Sequence, residues 1–389
     1  MTSQIRLTGF QLVGLTGVLL LGFAASLGMA FNIDAIALSY SASNSDAGLV
    51  ASVEMAAIAA GNLSFARLAM RLPAKPVYLG CILAIAVLNL ASTIAPTINW
   101  LIACRAPAGF ALGAIVATVM TTAGRSHRPE STFGVINSMV GVMGIFIAFI
   151  LPRALNLHTL TPESLGWAEV DGLYLVYTLS ALCALLFIGF TPKTEPLALD
   201  QGNGEKNSQF QGWLGLAGLG IIFFGHGTLA LFIVKIGREI PLSPEVIGYV
   251  FMAASGVGIL LPLLAGYLGS RIRAMAPIMI LLTVLSVSAV LLSMAGSPTA
   301  FFLLTPIFAM LPVGLMPIFL GCLARVDPSG SLAGSHAAFV LVGGAIAPFA
   351  GGTLSDLGGF TYNGWFVALC VVVGGAMIVP VIMLADRNR

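Results

Sequence analysis

The stretch from 99 to 123 reads NWLIACRAPAGFALGAIVATVMTTA, and Arg105 is its only charged residue. An apolar helix needs about 20 residues to cross the hydrocarbon layer of a membrane, so this stretch is long enough. A charged side chain inside such a span is costly and by default marks a functional position. The stretch therefore predicts a membrane-spanning helix that carries one functional cation.

The composition of the whole chain indicates the same environment. Of the 389 residues, 58% are hydrophobic and 8% are charged, whereas an average soluble domain is about 25% charged. A soluble fold of this size could not cover its surface with so few charges. The composition excludes a soluble enzyme, a nucleic-acid-binding protein and a disordered scaffold, so the lipid bilayer is predicted as a partner and nucleic acid is not.

Twelve apolar runs are long enough to be spans, and their many glycines indicate helices that pack closely, not alternating barrel strands. The predicted fold class is therefore an all-α polytopic membrane protein, with twelve transmembrane helices in two six-helix bundles. Twelve spans leave only short loops and no room for a soluble domain. The predicted spans are 10–33, 47–67, 76–95, 99–123, 131–152, 171–190, 212–236, 246–269, 274–295, 298–324, 331–355 and 361–384.

The polar stretch 191–211, rich in glycine and proline, predicts a flexible cytoplasmic linker. It separates an N-terminal bundle, 1–190, from a C-terminal bundle, 212–389. The two halves share identities at an offset of 200, such as Gly48 with Gly248, which suggests a duplicated six-helix unit.

The positions of the 17 lysines and arginines predict the orientation of the chain. With the N-terminus inside, most of them fall in cytoplasmic loops, as the positive-inside rule requires. We therefore expect a multi-pass protein of the plasma membrane (a bacterial inner membrane), with both termini cytoplasmic.

Three ionisable residues are expected at a similar height in the outer half of the membrane: Asp34, Glu54 and Arg105. If they meet, one acid can pair with Arg105 while the other carries a proton. The sequence leaves alternatives open, because Asp34 could lie at a water-exposed helix end and Glu54 could be a polar group bonded between helices.

His226, in the string FFGHG at 223–227, is a candidate substrate or proton contact, or else a packed donor to a neighbouring helix. His336, near the inner end of its span, is expected to pack or to contact interfacial water. Several phenylalanines could line an apolar solute pocket or face lipid: Phe223, Phe224, Phe301, Phe302 and Phe308. Pro348 is one of several span prolines that could act as a hinge or a static kink.

The five dispersed cysteines include no CxxC pair, so neither a metal site nor a cofactor is predicted.

The whole chain resembles the major facilitator superfamily, and in particular its twelve-helix drug and metabolite:proton transporters. The most specific segment is R-x-x-x-G-x-x-x-G, filled here by Arg105, Gly109 and Gly113. Other motifs depart from the family pattern: Phe65 and Ser270 stand where the two loop motifs have an acidic residue. The antiporter signature of span 5 is absent, although a similar string around Pro348 occurs in span 11.

The resemblance implies a transporter and not an enzyme, working by alternating access with spans 1, 4, 7 and 10 around a cavity. It associates the arginine of the motif with proton coupling. The favoured function is proton-coupled efflux (antiport) of a small organic solute by a monomer. The alternative is proton symport (uptake) of an organic or aromatic carboxylate, since Arg105 is the single fixed cation within the spans. Lysolipid translocation is a further alternative.

Overall fold

The computed structural model describes residues 6–69, 71–126, 129–162, 166–194, 210–326 and 331–387. Within them, twelve helical segments are long and apolar enough to cross a membrane. The predicted all-α membrane fold is confirmed. The helices are α1 (Gly9–Leu27), α2 (Met29–Ser39), α3 (Asn44–Leu68), α4 (Ala74–Ser92), α5 (Ile98–Gly124), α6 (Pro129–Leu155), α7 (Glu169–Ile188), α8 (Phe210–Ala230), α9 (Ile233–Glu239), α10 (Pro244–Arg271), α11 (Met275–Ser293), α12 (Pro298–Val326), α13 (Ser331–Gly358) and α14 (Phe360–Arg387).

The chain divides into two compact units, each taken over its described residues. Unit 1 comprises Met1–Ala42 and Val53–Asn203, and unit 2 comprises Ser43–Ser52 and Gly204–Arg389. The first turns of α3 are thus grouped with the second unit. Most of the expected linker, 195–209, lies outside the described residues.

Helix positions repeat between the units. Three consecutive helices of the second half begin 200 or 201 residues after their counterparts in the first half. The pairs of starting residues are Asn44 and Pro244, Ala74 and Met275, and Ile98 and Pro298. This register supports the duplicated six-helix unit that the sequence identities suggested.

The first helix of each half is interrupted, which corrects two predicted spans. The span expected at 10–33 ends as α1 at Leu27, and a second helix continues to Ser39. Gly28 lies at the break with φ −92° and ψ 2°, and its N–H still donates to Ala24 O at 3.1 Å. The span expected at 212–236 likewise divides into α8 and α9. Sliding-window hydropathy does not register such breaks, because it averages over the length of a span.

The glycines of the α5 motif bring two helix backbones of unit 1 into contact. A Cβ added at Gly109 would lie 2.4 Å from Glu54 O, and one added at Gly113 would lie 2.0 Å from Ile58 O. On the facing helix, a Cβ at Gly61 would lie 2.1 Å from Phe110 O. Small residues allow this approach between membrane helices, and here they set α3 directly against α5.

In unit 2, α8 packs against both α13 and α14. The amide of Asn363, on α14, is fully buried and bridges the other two helices. Its Nδ2 donates to Thr228 O at 2.6 Å and to Gly351 O at 2.8 Å. Satisfying two helix carbonyls with one amide fixes the three helices relative to one another.

We predict that Gly113→Ala destabilises unit 1, because its methyl group would force the α3 and α5 backbones apart. Overpacking of this kind costs about 1–3 kcal/mol. The measurement is the melting temperature of the purified protein in detergent. Gly80→Ala is the matched control, since a Cβ at that α4 position meets nothing within 4 Å. Equal melting temperatures for the two variants would contradict the close packing of α3 and α5.

Candidate functional site

The described part of unit 1 contains one ion pair between fully buried side chains. Arg105 on α5 is 1% exposed and Glu54 on α3 is fully buried. Arg105 Nη1 and Glu54 Oε1 are 3.5 Å apart, which is long for a charge-assisted hydrogen bond. The site therefore holds a cation and a carboxylate that neutralise each other through one stretched contact.

Arg105 is held more closely by α4 than by Glu54. Its Nη2 donates to Ser92 Oγ at 2.9 Å and to Leu88 O at 3.2 Å. Ser92 Oγ in turn donates to Leu88 O at 2.7 Å. Both acceptors lie in the last turn of α4, so this helix holds the guanidinium independently of its contact with Glu54.

A tyrosine from α7 completes the surroundings of the cation. The guanidinium carbon of Arg105 lies 4.5 Å from the centroid of the Tyr174 ring, a cation–π distance. The rings of Tyr174 and Tyr177 are 6.4 Å apart, and both side chains are buried. A desolvated cation gains most from such a ring, so α7 contributes to the stability of the charged site.

Several polar atoms around the pair have no hydrogen-bond partner among the described residues. They are Glu54 Oε2, Arg105 Nε and the hydroxyls of Tyr174 and Tyr177. Buried polar groups in proteins are ordinarily paired. The surroundings of the ion pair therefore contain hydrogen-bonding capacity that the described residues do not use.

Asp34 differs from the expectation that it lies at the outer end of its span. Helix α2 continues to Ser39, and Asp34 is 1% exposed. The alternative of a water-exposed helix end is therefore wrong. Asp34 is a second buried carboxyl group in unit 1, and a third, Asp171, accepts a hydrogen bond from Ala168 N at 2.7 Å at the start of α7.

His226 belongs to unit 2 and packs on an aromatic ring. Its imidazole centroid lies 4.7 Å from the Phe308 centroid, with 35° between the planes. Its Nε2 is buried without a hydrogen-bond partner among the described residues.

Nearby on α8, Phe224 lines an apolar cavity of about 410 Å³ between α8 and α13, together with Gly220, Phe339 and Gly343.

Pro348 lies inside α13, where the first turns of α3 meet that helix within unit 2. A Cβ at Gly48 would be 2.3 Å from Pro348 O, and Phe349 N donates to Ser52 Oγ at 2.9 Å. At the end of α13, Asp356 accepts from Asn44 N at 3.0 Å and from Ser45 N at 2.7 Å. A carboxylate is well suited to a helix N-terminus, so this contact anchors α3.

Sequence reasoning missed Ser92 and Tyr174, which contact Arg105 directly. Ser92 is an uncharged residue at the end of an apolar span and carries no signal of its own. Tyr174 and Tyr177 are one helical turn apart in a largely aliphatic span, and this pairing could have indicated them.

Among the described residues, no three His, Cys, Asp or Glu side chains group as metal ligands.

Comparisons with known proteins agree with this architecture. The family model of the Major Facilitator Superfamily matches residues 13–329. No curated protein sequence matches the chain. Among solved structures, the chain is similar to a bacterial homologue of the human lysosomal transporter Spinster in an inward-facing, occupied conformation. The two share 16% identity and a TM-score of 0.75, over 97% of this chain and 96% of that one.

Two further solved structures are similar. A POT family transporter in complex with a thioalcohol-conjugated peptide shares 14% identity, with a TM-score of 0.74 over 95% of this chain and 96% of that one. A variant of the nucleoside transporter NupG shares 12% identity, with a TM-score of 0.67 over 96% and 99%. At such identities the likeness shows the fold alone. Since the family model covers most of the sequence and the twelve spans agree with it, the chain belongs to the Major Facilitator Superfamily and is a multi-pass membrane transporter, not an enzyme.

Proposed function

We propose that this protein is a proton-coupled secondary transporter of a small organic solute, and that Glu54 carries the proton. The observation that carries the proposal is the buried Glu54–Arg105 pair with its single 3.5 Å contact. A carboxyl group that pairs with a cation in one state and holds a proton in another couples the two events. Alternating access by the two bundles would then move solute and proton in turn.

The unequal anchoring of the pair supports Glu54, not Arg105, as the group that changes state. Arg105 has two acceptors on α4 and an aromatic ring beside it. Glu54 Oε2 has no partner among the described residues, so a proton there breaks no existing hydrogen bond. Asp34 and His226 are the next candidates, because each is an ionisable group within the spans.

The balance of buried charge favours exchange of the solute against protons, that is, efflux. Among the described residues of unit 1, the buried charged side chains are three acids and one base: Asp34, Glu54, Asp171 and Arg105. A set with more acids than bases accommodates protons or an organic cation more readily than an organic anion. A proton on Glu54 would then weaken the attraction of this set for a cationic solute without removing the other two acids, Asp34 and Asp171.

Uptake of an organic carboxylate with protons is the second candidate, favoured by one observation. Arg105 Nε is buried without a partner among the described residues, and an arginine fork suits a carboxylate. Lysolipid translocation is a third, weaker candidate, supported only by the apolar cavity of unit 2. We further propose that the chain acts as a monomer in a bacterial inner membrane, with both termini cytoplasmic.

Transport into proteoliposomes under an imposed pH gradient tests the function. Three probes separate the candidates: ethidium as an organic cation, phthalate as an aromatic carboxylate and a fluorescent lysophosphatidylcholine. We expect ethidium to move against the direction of the protons. If phthalate moves with the protons, the protein is a symporter and not an antiporter. If the rate of probe movement does not depend on the pH gradient, proton coupling is rejected.

Replacing Glu54 by Gln should remove coupling while leaving the solute path intact. Glutamine keeps the size of the side chain and can still accept from Arg105, but it cannot carry a proton. We expect gradient-driven transport of the responsive probe to fall at least roughly tenfold and its pH dependence to flatten. Exchange of labelled against unlabelled probe without a gradient should persist.

Glu245→Gln, in the first turn of α10, is the matched control for Glu54→Gln and should retain the wild-type pH profile. If Glu54→Gln itself kept the wild-type pH profile, the proton carrier would instead be Asp34 or His226.

Replacing Arg105 by Lys should also abolish gradient-driven transport, although the charge is retained. An ammonium group cannot reach Ser92, Leu88 O and Glu54 with the fixed fork of a guanidinium, nor stack on Tyr174 in the same way. The initial rate of probe movement, normalised to the protein content of the liposomes, is the measurement. A rate near that of the wild type would show that a point charge is sufficient and would exclude the geometric role.

A further inference from the structure

Ser92 and Tyr174 together meet the Arg105 guanidinium on sides that Glu54 does not occupy. The Ser92 hydroxyl accepts from Nη2 at 2.9 Å, and the Tyr174 ring centroid lies 4.5 Å from the guanidinium carbon. Both side chains are fully buried. Hydrogen bonds to charged groups and cation–π contacts are both strongest when water is excluded.

The hydroxyl of Ser92 is itself oriented by its own helix. It donates to Leu88 O at 2.7 Å, one turn earlier in α4. Because its single hydrogen is used there, the oxygen lone pairs remain for Arg105. The same carbonyl, Leu88 O, also accepts from Arg105 Nη2 at 3.2 Å. The last turn of α4 is thus a pre-formed acceptor for one edge of the guanidinium.

We propose that Ser92 is a positioning residue of the proton-coupling site, assisted by the ring of Tyr174. Ser92 holds Arg105 on α4, so that Glu54 competes for the cation instead of being locked to it. The length of the Arg105–Glu54 contact, 3.5 Å, is a consequence of this competition. The inference rests on the proposed role of Glu54 as proton carrier.

The charged and titratable groups around Glu54 define what else acts on it. Arg105 faces it from α5, and Tyr174 and Tyr177 lie within electrostatic range on α7. Without the Ser92 hydroxyl, Arg105 would lose a partner on α4 and rely more on Glu54. The ionised form of Glu54 would then be more stable, so a lower pH would be needed to protonate it.

The test is an infrared titration of the purified full-length protein, which needs no solute. The protonated-carboxyl band of Glu54 is assigned by its loss in Glu54→Gln. In Ser92→Ala we expect the midpoint of that band to move to lower pH by roughly half to one unit. In the transport assay the same variant should be slower by roughly tenfold.

Ser293→Ala is the matched control. Ser293 ends α11 as Ser92 ends α4, and its hydroxyl donates to Val290 O at 2.8 Å on its own helix. The described residues of unit 2 contain no buried charged side chain, so the infrared midpoint of Glu54 should not change. A Ser92→Ala midpoint that is unchanged or raised would overturn the inference.

Two further pairs of variants keep the test decisive if Ser92→Ala does not fold. Ser92→Thr and Ser92→Val have the same shape and differ in the hydroxyl, so only the valine variant should shift the midpoint. Tyr174→Phe retains the ring, so the Glu54 midpoint should equal that of the wild type. Tyr174→Leu removes the ring, so the Glu54 midpoint should change. A midpoint shared by the Thr and Val variants would reject a role for the hydroxyl.

The two proposals fail in different ways. If Glu54→Gln leaves the pH profile of transport unchanged, Glu54 is not the carrier, and the infrared titration still reports whether Ser92 controls the pair. If Glu54→Gln flattens that profile but Ser92→Ala leaves the infrared midpoint in place, only the positioning role is lost. In the double variant, Ser92→Ala should add nothing to the loss of coupling, since it acts through the pair.

Discussion

The organisation of unit 1 depends on the cost of keeping a guanidinium within an apolar helix bundle. A buried cation is tolerated only when an opposite charge and enough acceptors surround it. Here the charge comes from α3, the acceptors from the last turn of α4 and an aromatic face from α7. Removing one of these contributions would leave the others to stabilise a desolvated charge, which explains why three helices converge on one side chain of α5.

The glycine spacing of α5 serves this same charge. An α-helix rises about 1.5 Å per residue, and residues four apart lie on one face, so Gly109 and Gly113 extend the face of Arg105 toward the C-terminal end of α5. Both press against the α3 backbone, one of them at Glu54 O itself. Larger residues would hold α3 away, and the Glu54 carboxylate could then not reach the cation. The motif therefore specifies an interhelical distance as well as a charge.

Much of this was predictable from the sequence. Composition and run length gave the twelve spans, and helix depth placed Glu54 and Arg105 at one level. Hydropathy could not reveal the break at Gly28, so the burial of Asp34 was underestimated. Ser92 was invisible for a different reason, because helix rotation decides which of many neutral polar residues faces a charge. Rotation is set by packing between spans, which uniform hydrophobicity does not encode.

The buried ion pair has no counterpart at the corresponding positions of the second half. At an offset of 200, Arg105 corresponds to Thr305 and Glu54 to Ala254, and both counterparts are fully buried. The described part of unit 2 therefore packs uncharged residues at these two positions, so the repeated framework does not itself require a buried ion pair there. The polar and open features described in that unit lie elsewhere, at His226 and at the apolar cavity beside Phe224. A buried charge is costly within an apolar bundle, so its presence at only one of two corresponding sets of positions supports the role in transport that we propose for it.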